Sequence, residues 1–304
     1  MTQVVSANTK PLTAVLMVAC AVFLFAISDV LAKHLMTRHP VPLVVAIRYF
    51  VSLILILVVL WPRYKSRLWQ TQRTRLVVAR GFVLAFASLT MGLALRLMPV
   101  GETIAILYLS PFAVMLLSIP LLGERSSAAS WIGAIIGFTG VMLIMRPGSG
   151  LDPVGVAFAL VNAACGTAYL LMTRMLAKTE TAVAMLFHVT VVGTVFFGLS
   201  AIPSYGGPMP DWTDLSLMVV LGATATTGHF LLTIAYRDAP ASLLAPVNYM
   251  HLVWAAILGW FVFDHLPDNI SLFGMALICV AGVAVALRAH LVNRKLKSAA
   301  APAQ

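Results

Sequence analysis

The stretch ALRLMPVGETIAILYL, residues 94–109, returns 141 positions later as AYRDAPASLLAPVNYM, residues 235–250. The same offset sets Lys33 against Arg174, Arg96 against Arg237, Pro99 against Pro240, Tyr108 against Tyr249 and Gly133 against Gly274. Paired prolines and paired basic residues at the same junctions mark a tandem repeat. Breaks at charges, Pro and Gly divide the first half into apolar runs at 12–35, 41–60, 76–96, 101–122 and 128–146. The second half divides at 154–175, 182–203, 214–236, 240–263 and 269–289. Each run is near the ~20 residues a helix needs to cross a bilayer. Five spans is an odd number, so the second half must enter the membrane opposite to the first. The expected fold is therefore all-α and integral to the membrane. It has ten transmembrane helices as two inverted five-helix repeats, 12–147 and 154–289, around a central cavity, and a frayed cytoplasmic tail at 290–304.

Composition agrees. The 304 residues are 61% apolar and 10% charged, with mean hydropathy +0.97. Water-soluble domains carry about 25% charged residues, so lipid must be the solvent for most of this chain. The net charge of +10 sits largely between the apolar runs, where it reads as a topology signal and not as a nucleic-acid surface. Loop 61–75 holds Arg63, Lys65, Arg67, Arg73 and Arg75, and the C-terminal end holds Arg288, Arg294, Lys295 and Lys297. The loops 204–213 and 264–268 hold no Lys or Arg. Ten spans with both termini cytoplasmic, in a bacterial-type inner membrane, place those charges on the proper side. The run from Leu12 is too long for a cleaved signal and lacks a small-residue cleavage site, so it reads as an uncleaved first span.

Chemistry-bearing motifs are scarce. Cys20, Cys165 and Cys279 lie inside apolar runs without CxxC spacing, which suits small buried hydrophobes and neither a disulfide nor a metal site. No HExxH, nucleophile–base pair or Gly-rich phosphate loop occurs, so no catalytic residue and no cofactor are expected. An integral-membrane enzyme is the disfavoured alternative class.

The stretches 79–148 and 235–283 resemble the EamA domain of the drug/metabolite transporter superfamily. The likeness is carried by the Pro before the fourth helix of each half, the Gly123-Glu124 turn after it and the glycine-rich fifth helix. Asp264-His265 replaces that turn in the second half, so no role is carried across it. The resemblance implies a cavity lined mainly by the first, third, fourth, sixth, eighth and ninth helices. It implies fifth and tenth helices that pack the halves or form a homodimer, and carriage of a small solute by alternating access.

Polar side chains at membrane depth are costly and usually face a bundle interior. Asn162, Cys165, Tyr169 and Thr173 share one helical face, as do Thr226, His229 and Thr233, and Asn248 and His251 with Ala245 and Ala255. Tyr108, Tyr169, His229, Asn248, Tyr249 and His251 are the candidate solute-binding residues. Trp254 and Phe187 could add ring surface. Flat rings suit a planar solute, of the riboflavin or aromatic amino-acid kind; the alternative is export of small amino acids or xenobiotics. Four charges lie within spans: Asp29, Arg48, Arg80 and Glu102. Arg48 should pair with a carboxylate, Asp29 being nearest in type, or face the cavity. Arg80 lies near a span end, where it could snorkel. Asp29 and Glu102 are candidates for structural pairing or for proton coupling. Gly133, Gly137 and Gly140, with Gly274 and Gly282, form small-residue stripes for close helix packing.

Overall fold

Proline and aspartate set many of the helix boundaries. The computed structural model describes residues 11–122, 128–146, 148–177, 179–204, 206, 209–238, 244 and 247–299. Helix α1 is Pro11–Arg38 and α2 is Val41–Tyr64. Pro42 lies in the first turn of α2, where its missing N–H costs no hydrogen bond. A short 3₁₀ turn, Lys65–Leu68, leads to α3, Thr74–Leu97. Met98 then turns extended, with φ −125° and ψ 157°, as Pro99 requires of the residue before it.

The single helix expected at 101–122 is two: α4, Val100–Leu107, and α5, Leu109–Leu122. Pro111 explains the break at Tyr108. It offers no N–H to the Leu107 carbonyl and its ring crowds that oxygen. Next come α6, Ala128–Ile144, and α7, Pro153–Leu176. Asp152 caps α7, accepting from the Val154 and Gly155 amides at 2.7 and 2.9 Å. The remaining helices are α8, Ala182–Ser204; α9, Trp212–Asp238; α10, Met250–Phe263; and α11, Asn269–Ala299. The first part of the helix expected at 240–263, Pro240 and Ala245 included, lies largely outside the described residues, as does Gly123-Glu124. The tail is not frayed from residue 290. Helix α11 runs on to Ala299, because the chain meets no Gly or Pro there before Pro302 and is rich in helix formers.

Among the described residues, six helical segments are long and apolar enough to cross a membrane: Leu12–Arg38, Val41–Leu68, Thr74–Leu97, Pro153–Leu176, Ala182–Pro203 and Trp212–Ala235. The surface they present is inverted relative to a water-soluble protein. Phe50, Phe82, Ile135, Phe138, Leu199 and Phe261 are exposed, while Ser28, Thr90, Thr103, Ser110 and Asn162 are buried. Thr90, Thr103, Ser110 and Asn162 donate to backbone carbonyls: Ser110 to Ala163 O at 2.7 Å and Asn162 Nδ2 to Ala87 O at 2.5 Å. Cys20 is exposed on this apolar exterior, not buried as its run suggested, because lipid tolerates a small hydrophobe as well as a core does.

Helix pairing repeats across the halves. Helix α1 packs on α9 and α3 on α7; α2 packs on α8 and α6 on α11; α3 also meets α8, and α2 meets α9. Exchanging the five expected spans of one half for those of the other maps this set onto itself. Of the glycine stripes, Gly133, Gly140 and Gly274 serve the contact between α6 and α11, whereas Gly137 faces Phe112 and Gly282 faces Tyr249. A Cβ built on Gly140 would fall 2.6 Å from Gly274 O, and one on Gly274 would fall 2.5 Å from Gly140 O. Only backbone fits on either side of that contact.

Candidate functional site

Arg48 is the eighth residue of α2 and looks into a space walled by α2, α3, α7, α8 and α9. This inner cavity holds about 80 Å³ and is lined by Arg48, Tyr49, Ser52, Ser88, Tyr169, Thr226 and His229 among others. Two further spaces continue it. One of about 160 Å³ shares Ile56, Leu186 and Thr226 with it. The next, about 550 Å³, shares Val59, Leu60, Leu186 and Phe230 with the second and reaches Arg63 and Tyr64. The tract thus runs between α2, α8 and α9 from the Arg63 end of the molecule to Arg48.

Tyr49 is held flat against the wall. Its ring stacks on Phe197 with centroids 5.7 Å apart, and its hydroxyl lies 2.8 Å from Ser88 Oγ. Gly193 on α8 leaves the room that ring occupies, since a Cβ there would overlap it. The Arg48 guanidinium sits 5.6 Å from the Tyr49 centroid. It has no hydrogen bond or ion pair among the described residues. Thr226 Oγ1 lies 2.7 Å from Ser52 Oγ, and the His229 ring is 4.8 Å from Phe25.

Arg80 does not snorkel. It is 4% exposed and donates through Nε to Thr173 Oγ1 at 2.7 Å and through a terminal nitrogen to the Tyr169 hydroxyl at 2.6 Å. Its other terminal nitrogen reaches Met185 O at 3.4 Å, and its guanidinium lies 4.1 Å from the Tyr169 ring centroid. It is a bracket joining α3 to α7 and α8. Neutral acceptors in that fork replace the aqueous partners a snorkelling side chain would seek.

The expected pairing of Arg48 with Asp29 does not form. Asp29 Oδ2 instead lies 2.8 Å from His251 Nε2, each side chain 18% exposed, tying α1 to α10. Of the candidate binders, Tyr169 and His229 line the inner cavity and His251 is spent on Asp29. Tyr108 and Tyr249 stack on one another, centroids 5.1 Å apart at 29°, with the Tyr108 hydroxyl donating to Asn248 O at 2.6 Å. Trp254 packs edge-on against Phe23, and Phe187 against His188. The inner cavity is walled by α2 and α8, the second and seventh spans of the expected ten, together with the third, sixth and eighth, while α1, α4 and α10 line a separate cavity at the opposite end. Tyr49, Ser52 and Ser88 were not singled out from the sequence. Only the direct neighbourhood of Tyr49 to Arg48 pointed to them.

At the opposite end, the turns are tied together. Arg38 Nη1 and His39 Nε2 lie 3.1 and 2.7 Å from the Asp214 carboxylate. Lys33 donates to Leu95 O and Met98 O at 2.8 and 2.7 Å. Arg146 lies 2.6 Å from Asp268; the Ser271 amide and Arg146 together hold the Asp268 carboxyl well below the usual range, at about 2. A cavity of about 250 Å³ sits among these turns, lined by Lys33, Gly101, Glu102, Phe263 and His265. Glu102 is 3% exposed; Oε1 lies 3.0 Å from His265 Nε2, and Oε2 is buried with no partner.

A bundle of long apolar helices, with a mostly apolar tract that ends on polar side chains around Arg48, fits a solute carrier. The comparisons with known proteins agree. The model of the EamA-like transporter family matches residues 12–146 and again 153–288, and the chain belongs to that family. A protein named S-adenosylmethionine uptake transporter from Rickettsia bellii is 27% identical over 84% of this chain and 86% of its own length. Proteins named riboflavin transporter are 30% identical over 69% of this chain and 68% of theirs in Rhizobium johnstonii, and 28% identical over 87% and 94% in Brucella anthropi. A solved crystal structure superposes with TM-score 0.67 over 93% of this chain and 98% of its own, at 21% identity. It shares the fold.

Proposed function

We propose that this EamA-type transporter moves a small metabolite bearing a planar ring, by alternating access of two inverted five-helix halves. The membrane is the inner membrane, with both termini cytoplasmic. The observation that carries the reading is the tract between α2, α8 and α9 that reaches from Arg48 to Arg63, next to the basic 61–75 loop that the positive-inside rule assigns to the cytoplasm; the turns at the far end are cross-tied by Asp214, Lys33 and Asp268. Tyr49, Tyr169 and His229 offer ring surface to a flat solute. Relatives named for riboflavin and for S-adenosylmethionine, both of which contain planar ring systems, support the same class.

The test is thermal unfolding of the purified protein in detergent with riboflavin, S-adenosylmethionine, tryptophan, leucine and a quaternary ammonium compound. At 100 times its dissociation constant a ligand adds ~2.7 kcal/mol. A ring-bearing compound should stabilise the wild type and stabilise Tyr49→Leu less. A shift with leucine or the ammonium compound alone would overturn the ring reading.

Coupling is proposed at Glu102. Protonation at the buried Oε2 would remove a negative charge that no donor meets there, beside Lys33 and His265 at the cross-tied end. In proteoliposomes Glu102→Gln is expected to keep solute binding and lose the dependence of accumulation on an imposed pH gradient. Unchanged gradient dependence would remove Glu102 from the cycle.

A further inference from the structure

We propose that the transported solute carries an acidic group, a carboxylate or a phosphate, and that Arg48 receives it. The inference deepens the ring reading above and rests on it for where the solute lies.

Charge along the tract is of one sign. Of the residues lining its three connected spaces, the formally charged ones are Arg63 at the mouth and Arg48 at the inner end, with His229 beside Arg48, and none is acidic. The acids near the membrane-spanning helices are engaged elsewhere. Asp29 faces His251, Glu102 faces His265 and Asp214 faces Arg38 and His39. Glu180 accepts from the backbone amides of Gln72 and Arg73, and Asp152 caps α7. No ion pair joins a described carboxylate to Arg48.

Arg80 supplies the contrast within the same bundle. Its guanidinium is buried, and a hydroxyl, a phenol and a carbonyl meet its N–H groups. Arg48 presents the same five N–H donors about 10 Å into α2, and no acceptor on the described chain meets them. The Arg48 guanidinium is only part-buried and lines the cavity, so its donors are met by whatever fills that space, water or an anion. The planar fork matches carboxylate and phosphate in bidentate fashion. A like-signed mouth draws anions inward by field. A cation without an acidic group would meet Arg48 unneutralised.

Two matched probe pairs separate the acid from the ring. Riboflavin and FMN share a ring and differ by a phosphate. S-adenosylmethionine and its decarboxylated form share a ring and a sulfonium and differ by a carboxylate. Glutarate, an acid without a ring, completes the set. Dissociation constants are measured by calorimetry on wild type, Arg48→Gln and Arg48→Lys, each first checked for an unchanged melting temperature and a single size-exclusion peak. In the wild type, the acid-bearing member of at least one pair should bind about tenfold or more tightly than its partner. Arg48→Gln should erase that preference while keeping affinity for the acid-free member, and Arg48→Lys should keep part of it. The pair that responds tells phosphate from carboxylate. Absence of preference in both pairs, equal loss of both members in Arg48→Gln, or no binding by any acid-bearing probe overturns the proposal. Ring compounds bound without preference leave the ring reading standing and sink this one. Arg48-dependent binding of glutarate alone does the reverse.

Discussion

Gly140→Ala and Gly274→Ala are each expected to destabilise the protein by about 2 kcal/mol, within the 1–3 kcal/mol range of overpacked interiors. Each added methyl would meet the opposing backbone carbonyl at 2.5–2.6 Å. A side chain could rotate away from such a contact, but a helix carbonyl cannot, so α6 and α11 must separate along their length. In a bilayer that separation is not recovered by a hydrophobic drive, because lipid tails are as apolar as the side chains they replace. Gly198→Ala on α8 is the internal control. A Cβ there meets nothing within 4 Å, so the change should be neutral or stabilising by up to ~1 kcal/mol through helix propensity. Thermal unfolding in detergent reads all three. If Gly140→Ala and Gly198→Ala unfold alike, the close approach of α6 and α11 is not limiting.

Arg80→Ala should cost more, about 3–5 kcal/mol. Each of its two short hydrogen bonds is of the charge-assisted kind, worth ~1.5–3 kcal/mol, and its stack on Tyr169 adds ~1 kcal/mol. The Thr173 and Tyr169 hydroxyls are left facing a void. Arg80→Lys keeps the charge yet cannot reach three acceptors on two helices at once, so it should recover less than half of the loss. Equal stability of the Lys and wild-type proteins would show that the charge and not the fork secures α3 to α7 and α8.

The sequence carried depth well and direction poorly. Charges, prolines and apolar run lengths placed the six long apolar helices, and the 141-residue offset set Tyr108 against Tyr249, which do meet in space. Pro111 was visible within the fourth run, and the break it forces at Tyr108 could have been read there. The partners of buried charges were not legible. Asp29 meets His251 across 222 residues and Glu102 meets His265 across 163. Helical periodicity says which residues share a face but not which neighbour that face meets. The stripe of Asn248 and His251 was therefore read as cavity lining, when His251 is tied to α1. Arg48 shows the same division. Its depth was legible from its place in the second run. Its lack of a partner followed only once every nearby carboxylate had been assigned.

The stacked tyrosines have a structural consequence. Tyr108 sits at the break between α4 and α5, and Tyr249 sits at the irregular turn that opens α10. Each ring rides on the point where its own helix is weakest. The stack thus sets one helix break from each repeat directly against the other.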